Sequence, residues 1–243
     1  MTPRIVQRPS PNFNERPAGV TPSILVLHYT GMPTAEGAMA LLTDPDAVKR
    51  VSAHYTLDED GTFYQHVHED LRAWHGGVSW WRGADDLNSR SIGIEIVNPG
   101  HECGYRPFPK RQIYALIALG KDIVSRHGIR PQNVIGHSDI APGRKVDPGE
   151  LFPWRRLSGH GLGIWPAKGR AAVPDDPAHL AVALRTIGYG VQPEVPTELS
   201  VVLAEFQRHW RPALFDGLAD LETRQRLHAV AAAQGMGDAH PSV

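Results

Sequence analysis

Residues 134–149 read Val-Ile-Gly-His-Ser-Asp-Ile-Ala-Pro-Gly-Arg-Lys-Val-Asp-Pro-Gly. A short apolar run leads directly into His137, and ten residues later Asp147 stands among Pro and Gly residues that stiffen a loop. A second histidine, His28, ends the apolar run Ile24-Leu25-Val26-Leu27. Two imidazoles and one carboxylate give zinc three protein ligands and leave a fourth position open, which a catalytic zinc needs. The pattern predicts a catalytic zinc site.

Strand and helix signals alternate around these residues. Apolar runs of strand length, and a pair of segments flanking the turn dipeptide Asp60-Gly61, predict strands. The predicted strands are residues 24–28, 52–57, 62–67, 91–97 and 134–135. Helical spacing of apolar side chains predicts helices at residues 34–43, capped by Thr34, and 110–127, stopped by Gly128. The alternation favours an α/β fold, a mixed central sheet flanked by helices.

The composition changes after this unit. Residues 165–177 are rich in Pro, Ala and Gly without apolar periodicity, which indicates a linker between residues 1–164 and 178–243. Three short amphipathic segments follow, at residues 179–187, 198–210 and 220–233. They predict a small C-terminal three-helix domain.

Charge and cysteine content narrow the function classes. With 25 basic and 26 acidic residues, the chain lacks the positive field of a nucleic-acid-binding protein. The single cysteine, Cys103, excludes an intrachain disulfide and cysteine-based zinc sites. No segment has the length and apolarity of a membrane span, and the polar N-terminal residues do not resemble a signal peptide. We therefore expect a cytoplasmic protein without a membrane span.

Glu95 and Lys145 complete the predicted chemical site. Glu95 is the acidic residue of an otherwise apolar strand, on the face opposite Ile92 and Ile94. If that face meets the metal, its carboxylate can take a proton from an activated water and deliver it to a leaving amine. Lys145, two residues before Asp147, can stabilise the oxyanion of a tetrahedral intermediate. This combination is typical of amide hydrolysis.

These residues resemble the zinc-dependent N-acetylmuramoyl-L-alanine amidases of the AmpD/AmiD type, a family similar to peptidoglycan recognition proteins. The resemblance covers residues 24–154 in matching order. It is carried by His28-Tyr29-Thr30, Ser52-Ala53-His54-Tyr55, Ala73-Trp74-His75-Gly76, Ser91-Ile92-Gly93-Ile94-Glu95, Gly136-His137-Ser138-Asp139 and Gly143-Arg144-Lys145-Val146-Asp147-Pro148-Gly149.

The resemblance implies one Zn2+ per chain, bound by His28, His137 and Asp147, with Glu95 and Lys145 catalytic. The bond cut would join the lactyl group of N-acetylmuramic acid, or its 1,6-anhydro form, to L-Ala of the stem peptide. The partners are then muropeptides or peptidoglycan fragments. The C-terminal helices are similar to a peptidoglycan-binding domain, although a purely structural helical cap has nearly the same pattern.

Several other side chains are candidates for substrate contact. His54 and Tyr55 follow the sheet edge, Trp74 and His75 lie in an aromatic-rich loop, and Arg90 can meet a stem carboxylate. Each of these can instead pack or support a loop. His66 and His68 have the spacing of one strand face, but without an evident third ligand we expect surface histidines.

Two other functions fit the same pattern: a peptidoglycan receptor that binds without cutting, and a scaffold stabilised by zinc. A receptor typically lacks a zinc ligand, whereas all three positions are filled here. The compartment has an alternative as well, because a binding domain suits polymeric wall in the periplasm, whereas a cytosolic enzyme acts on recycled fragments. The sequence leaves the oligomeric state open.

Overall fold

The structure, a computed structural model, describes residues 3–191 and 196–234. The described residues form eight strands, β1 to β8 in chain order: Ile5–Gln7, Phe13–Glu15, Ile24–Tyr29, Tyr55–Leu57, Phe63–Gln65, Leu71–Ala73, Ser91–Ile96 and Val134–Gly136. They also form eight α-helices, α1 to α8: Ala35–Thr43, Gly100–Cys103, Lys110–His127, His137–Ile140, Trp154–Ser158, Pro177–Ile187, Pro196–Trp210 and Leu221–Gln234. Short 3-10 helices at Leu87–Arg90 and Pro131–Asn133 lead into β7 and β8.

Six strands form the central sheet, in the order β1-β5-β4-β7-β3-β8. The β4–β5 pair is antiparallel, as the Asp60-Gly61 turn predicts, and the other neighbours are parallel. β2 and β6 form a separate antiparallel pair. The predicted mixed sheet is therefore confirmed.

The two faces of the sheet have separate apolar cores. On one face, Ile92, Ile94 and Ile96 pack with Leu25 and Leu27 against α3. The helix α3 spans the predicted residues because its apolar spacing faces the sheet and Gly128, with φ 63°, caps its C-terminus. At the other predicted helix, the Thr34 hydroxyl accepts a hydrogen bond from Gly37 N at 3.1 Å.

The C-terminal helices α6, α7 and α8 cover the second face. Ile24, Val26 and Ile135 of the sheet share one apolar core with Leu184 and Phe206 of these helices. Residues 165–176 connect the two parts without a helix or strand. Residues 192–195 and 235–243 of the predicted 178–243 segment, like Met1 and Thr2, lie outside the described residues. In the described part of the chain, no helix has the length and apolarity needed to cross a bilayer.

Six strands and helices did not follow from sequence patterns, among them the short helices α2 and α5. β1, β2 and β6 are three-residue strands, too short to show an alternation. The helix α4 begins directly at His137, where the sequence indicated a loop. The Asp139 carboxylate supports this turn, because its Oδ2 accepts the Gly136 N–H at 2.8 Å.

Candidate active site

Two parallel strands bring His28 and His137 to the same edge of the sheet. β3 pairs with β8 in the register Leu27 to Gly136, so the next residue of each chain segment is a histidine. Carboxyl ends of parallel strands meet at one edge of a sheet, where binding sites are typically found. The register thus places the two imidazoles side by side.

Asp147 joins the two histidines from the loop that follows α4. Its Oδ2 lies 3.1 Å from Nδ1 of His28 and 3.1 Å from Nδ1 of His137. The two Nδ1 atoms lie 2.9 Å apart. All three residues are buried, with 1%, 4% and 5% of their surface exposed for His28, His137 and Asp147. Their ligand atoms lie within 4.8 Å of one another, which is close enough to hold one metal ion.

The donor set suits a cation. Burial lowers the pKa of His28 to about 4, so its imidazole is neutral at pH 7. Nε2 of His137 lies 3.1 Å from the carbonyl oxygen of Gly76, which can only accept a hydrogen bond. Nε2 of His137 therefore carries a hydrogen, and in the neutral imidazole Nδ1 keeps the lone pair that can bind a cation. Two nitrogens and a carboxylate oxygen face one another, and two imidazoles plus a carboxylate are a zinc-type donor set.

Glu95 lies beside this group on the neighbouring strand β7. It pairs in register with His28 of β3 and with Thr56 of β4, and it lines the same cavity. Burial raises the pKa of Glu95 well above its usual value, and the charge of Asp147 acts in the same direction, whereas Lys145 lowers it. Among the described residues, its buried Oε2 has no hydrogen-bond partner. A carboxyl group with this raised pKa is suited to accept and return a proton.

The site opens into a cavity of about 500 Å3. Glu95, Lys145, His137, Asp147, Trp74 and His75 line it. Lys145 is half-buried, and Trp74 donates its indole N–H to Asn14 Oδ1 at 2.6 Å. The cavity therefore brings both predicted catalytic side chains and two of the predicted substrate contacts to the His28–His137–Asp147 group.

Three predicted substrate contacts lie elsewhere, since His54, Tyr55 and Arg90 do not line this cavity. His54 is fully buried, where its Nδ1 accepts the Gly93 N–H at 2.9 Å. Tyr55 pairs with Ile94 and therefore faces the apolar side of the sheet, where its hydroxyl donates to Glu69 Oε1 at 2.7 Å. Arg90 lines a different cavity. These three side chains therefore lie outside the cavity.

The two histidines of the 66–68 segment have different environments. His68 is exposed beside Asp70, as expected. His66 is buried rather than on the surface, because Thr56 Oγ1 lies 2.8 Å from its Nε2 and the Arg8 carbonyl oxygen lies 2.8 Å from its Nδ1. Both of its ring nitrogens therefore have hydrogen-bond partners within the protein.

Sequence reasoning missed three other side chains of the cavity. Tyr29 follows His28 at the end of β3, and its hydroxyl lies 2.9 Å from His101 Nδ1. Arg144 donates to the carbonyl oxygens of Gly76 and Val78 at 2.7 and 2.6 Å, so it joins the Lys145 loop to the Trp74 loop. Tyr29 and Arg144 each adjoin a predicted site residue in the chain, whereas no signal points to His101.

This fold and site define the class of protein. The family model of N-acetylmuramoyl-L-alanine amidases matches residues 18–150, slightly more than half of the chain. The chain belongs to this family of enzymes. It is 43% identical over 223 residues to N-acetylmuramoyl-L-alanine amidase AmiD of Escherichia coli (strain K12), covering 83% of this chain and 79% of AmiD.

Two solved structures are similar over nearly the whole chain. AmiD from E. coli, in a complex with anhydro-N-acetylmuramic acid-L-Ala-D-gamma-Glu-L-Lys, has a TM-score of 0.79 and 41% identity, covering 90% of this chain and 93% of AmiD. AmpDh3 from Pseudomonas aeruginosa, in complex with anhydromuramic pentapeptide, has a TM-score of 0.79 and 35% identity, covering 89% and 94%. The similarity includes the C-terminal helices, because the sheet unit alone is shorter than the matched part.

Proposed function

We propose that this protein is a zinc-dependent N-acetylmuramoyl-L-alanine amidase that acts on muropeptides in peptidoglycan turnover. The bond cut is the amide between N-acetylmuramic acid, or its 1,6-anhydro form, and L-Ala of the stem peptide. One observation carries the proposal: His28, His137 and Asp147 converge, and two of them, His137 and Asp147, line the same cavity as Glu95 and Lys145. That arrangement provides a metal site, a general base and a cation around one space.

His28, His137 and Asp147 are the residues that would hold the metal. Their buried nitrogen and carboxylate atoms face one another at 2.9 to 3.1 Å, and a shared cation removes the repulsion between them. When bound, zinc supplies Lewis-acid chemistry, which makes water more acidic and polarises the substrate carbonyl.

Glu95 takes the role of general base and acid. Its position beside His28 lets the carboxylate accept a proton from the attacking water and pass it to the nitrogen of L-Ala as the amide bond breaks. The raised pKa of Glu95 supports this second step, because a carboxyl group with a raised pKa still carries the proton when the amine leaves. Lys145 stabilises the negative oxygen of the tetrahedral intermediate.

The substrate class is supported by two independent features. Each solved relative contains an anhydromuramyl peptide. In this chain, the half-buried indole of Trp74 lines the cavity, and an aromatic face suits the apolar side of a sugar ring. We therefore assign the muramyl sugar to the Trp74 wall.

Incubation of the purified protein with anhydro-N-acetylmuramic acid-L-Ala-D-γ-Glu-L-Lys tests the proposal. Release of a free peptide that begins with L-Ala is expected, and a chelator should stop it until zinc is restored. A protein that binds the compound without cutting it is a receptor, and one that holds zinc without binding the compound is a scaffold. Either result overturns the proposal.

The wider role depends on the compartment and on the C-terminal helices. We propose that residues 1–164 are the zinc amidase unit and that residues 165–177 are a linker. Residues 178–243 are then a helical unit that binds peptidoglycan. Fractionation of native protein tests the expected cytoplasmic role. A cytosolic pool supports action on imported fragments, whereas a periplasmic pool supports action on the wall itself.

A further inference from the structure

The loop Trp74-His75-Gly76 contacts both histidines of the candidate metal site on the side of their rings that is turned away from Asp147. His75 Nδ1 lies 3.0 Å from His28 Nε2, and the Gly76 carbonyl oxygen lies 3.1 Å from His137 Nε2. These are the ring nitrogens turned away from Asp147, whose Oδ2 lies 3.1 Å from each Nδ1. Two neighbouring residues of one loop thus touch the nitrogens that do not face the metal site.

The Gly76 contact fixes the proton of His137 directly. A carbonyl oxygen can only accept, so Nε2 must carry a hydrogen, and in the neutral ring Nδ1 keeps its lone pair. Backbone carbonyls are ordinary partners of metal-binding histidines. The His75 contact is different, because an imidazole can either donate or accept.

Ser91 decides which nitrogen of His75 carries the proton. The Ser91 hydroxyl donates its one hydrogen to the Leu87 carbonyl oxygen at 2.5 Å. Nε2 of His75 lies 3.2 Å from Ser91 Oγ, which therefore has only lone pairs left to offer. Nε2 of His75 must donate to Ser91.

His75 then has an acceptor left for His28. The His75 ring is buried, and among the described residues its hydrogen-bond partners are a serine hydroxyl and an imidazole, so no carboxylate compensates a charged form. A neutral imidazole with its hydrogen on Nε2 has a lone pair on Nδ1. His28 must donate to it through Nε2–H, which leaves Nδ1 of His28 unprotonated and directed at Asp147.

We propose that His75 is a positioning residue that fixes His28 in the tautomer and orientation needed to bind the metal. The hydrogen bonds run from His28 to His75, from His75 to Ser91 and from Ser91 to the Leu87 carbonyl. This inference rests on the metal site of the proposed function. It assigns to His75 a role at the metal site in place of the sugar contact expected from its sequence.

Two features hold His75 in this position. Asn88 Oδ1 accepts the backbone N–H groups of His75 and Gly76 at 3.0 and 2.7 Å, which fixes the loop. Gly93 leaves room for the ring, since a Cβ at that position would lie 2.5 Å from His75 Cγ. Real Cβ atoms essentially never come so close, so the strand must have glycine where the ring packs.

Zinc affinity of His75→Leu is the first test, measured by competition with a chromophoric chelator. Loss of a hydrogen-bond partner of a metal-binding histidine typically lowers affinity about 10–100-fold, and we expect that range here. The variant should still bind one zinc per chain at saturation. Unchanged affinity in the folded variant overturns the proposal, whereas absence of zinc binding by the wild-type protein overturns the proposed function instead.

His75→Asn and His66→Leu are the matched controls. Asn places an acceptor near the position of His75 Nδ1, so it should restore most of the affinity. His66 is a buried histidine outside the cavity, and its replacement should leave zinc affinity unchanged even though it lowers stability. Equal losses of affinity in all three variants would mean that His75 acts only through general stability.

If His75→Leu does not fold, Ser91→Ala provides a second test. Without the Ser91 hydroxyl, the proton of His75 is no longer held on Nε2, so zinc affinity should fall as it does in His75→Leu. The double variant Ser91→Ala/His75→Leu should lose no more affinity than His75→Leu alone. In zinc-free protein, nitrogen NMR of the imidazoles should show His28 protonated at Nε2 in the wild type and a tautomer mixture in Ser91→Ala. The same single tautomer in both proteins, with equal zinc affinity, overturns the proposal.

Discussion

His209 Nδ1 lies 2.7 Å from Asp139 Oδ2, and both side chains are almost completely buried. Asp139 belongs to α4, two residues after His137, whereas His209 belongs to α7 of the C-terminal helices. Asp139 Oδ1 also accepts the Tyr189 hydroxyl at 2.5 Å. The turn that carries His137 is therefore attached to the C-terminal helices by polar contacts inside an apolar core.

Replacement of His209 should weaken the whole chain. His209→Leu removes a hydrogen-bond partner from the buried Asp139 side chain, and leaving a buried polar group without a partner typically costs about 1–3 kcal/mol. Because Tyr189 and the Gly136 N–H still contact Asp139, we expect no more than about 1–3 kcal/mol less free energy of unfolding. Urea unfolding measures it, with the exposed His68→Ala as control. Equal stability of the two variants would contradict this.

Truncation after residue 164 should produce a poorly folded chain. The C-terminal helices cover Ile24, Val26, Ile135 and Ile140, and exposing such a patch favours aggregation. We expect low solubility and binding of an apolar dye by the truncated protein, relative to the full chain. A soluble fragment that unfolds cooperatively and binds zinc would instead show that the helices form a separable domain.

Glu95→Gln should separate turnover from metal binding. Gln keeps the shape of the side chain but cannot take a proton, and a general base contributes about 100–10,000-fold to the rate. We expect kcat to fall by that factor while the protein retains one zinc per chain. Peptide release and zinc content, measured on the same sample, check both parts. Near-normal kcat would exclude Glu95 as the base.

The sequence predicted the parts of the fold whose patterns are long. The helix at residues 110–127 was predicted with its correct bounds because eighteen residues show the period clearly and Gly128 ends it. The strands β3, β7 and β8 were predicted because they are buried apolar runs, and the ends of β3 and β8 indicated His28 and His137. The short strands β1, β2 and β6 carry too few residues for such a signal.

Side-chain direction depended on strand register, which no local pattern gives. Thr56 pairs with Glu95, so Tyr55 pairs with Ile94 and faces the opposite side of the sheet from Glu95. A shift of one residue would have directed Tyr55 to the metal side. The environment of His75 depended likewise on the close approach of two distant segments at Gly93.

His137→Ala should lose the metal. Removing a ligand should lower zinc affinity by more than the roughly 10–100-fold that loss of a ligand's hydrogen-bond partner costs. We therefore expect zinc to be absent after dialysis, while His68→Ala keeps one ion per chain. Metal analysis together with circular dichroism checks that the loss is not caused by unfolding. Stoichiometric zinc in folded His137→Ala would exclude it as a ligand.

His54 should make the folded state less stable in acid. Burial lowers the pKa of His54 to about 3, and the nearby Arg16 charge adds to this, although the hydrogen bond to Leu71 opposes it. An unfolded histidine takes up its proton below about pH 6.5. Between these two values the unfolded chain binds more protons, so stability is full above pH 6.5 and falls as the pH drops towards 3.

The comparison with His54→Asn isolates this effect. Asn keeps an acceptor for the Gly93 N–H but does not titrate, so it lacks the acid-sensitive contribution. Whatever the stability difference between the two proteins at pH 7, the wild type should lose about 2 kcal/mol relative to the variant on going to pH 5. Urea unfolding of both zinc-free proteins at the two pH values measures the change. A difference that stays constant with pH would mean that the pKa of His54 is the same in the folded and unfolded states, which would contradict the prediction.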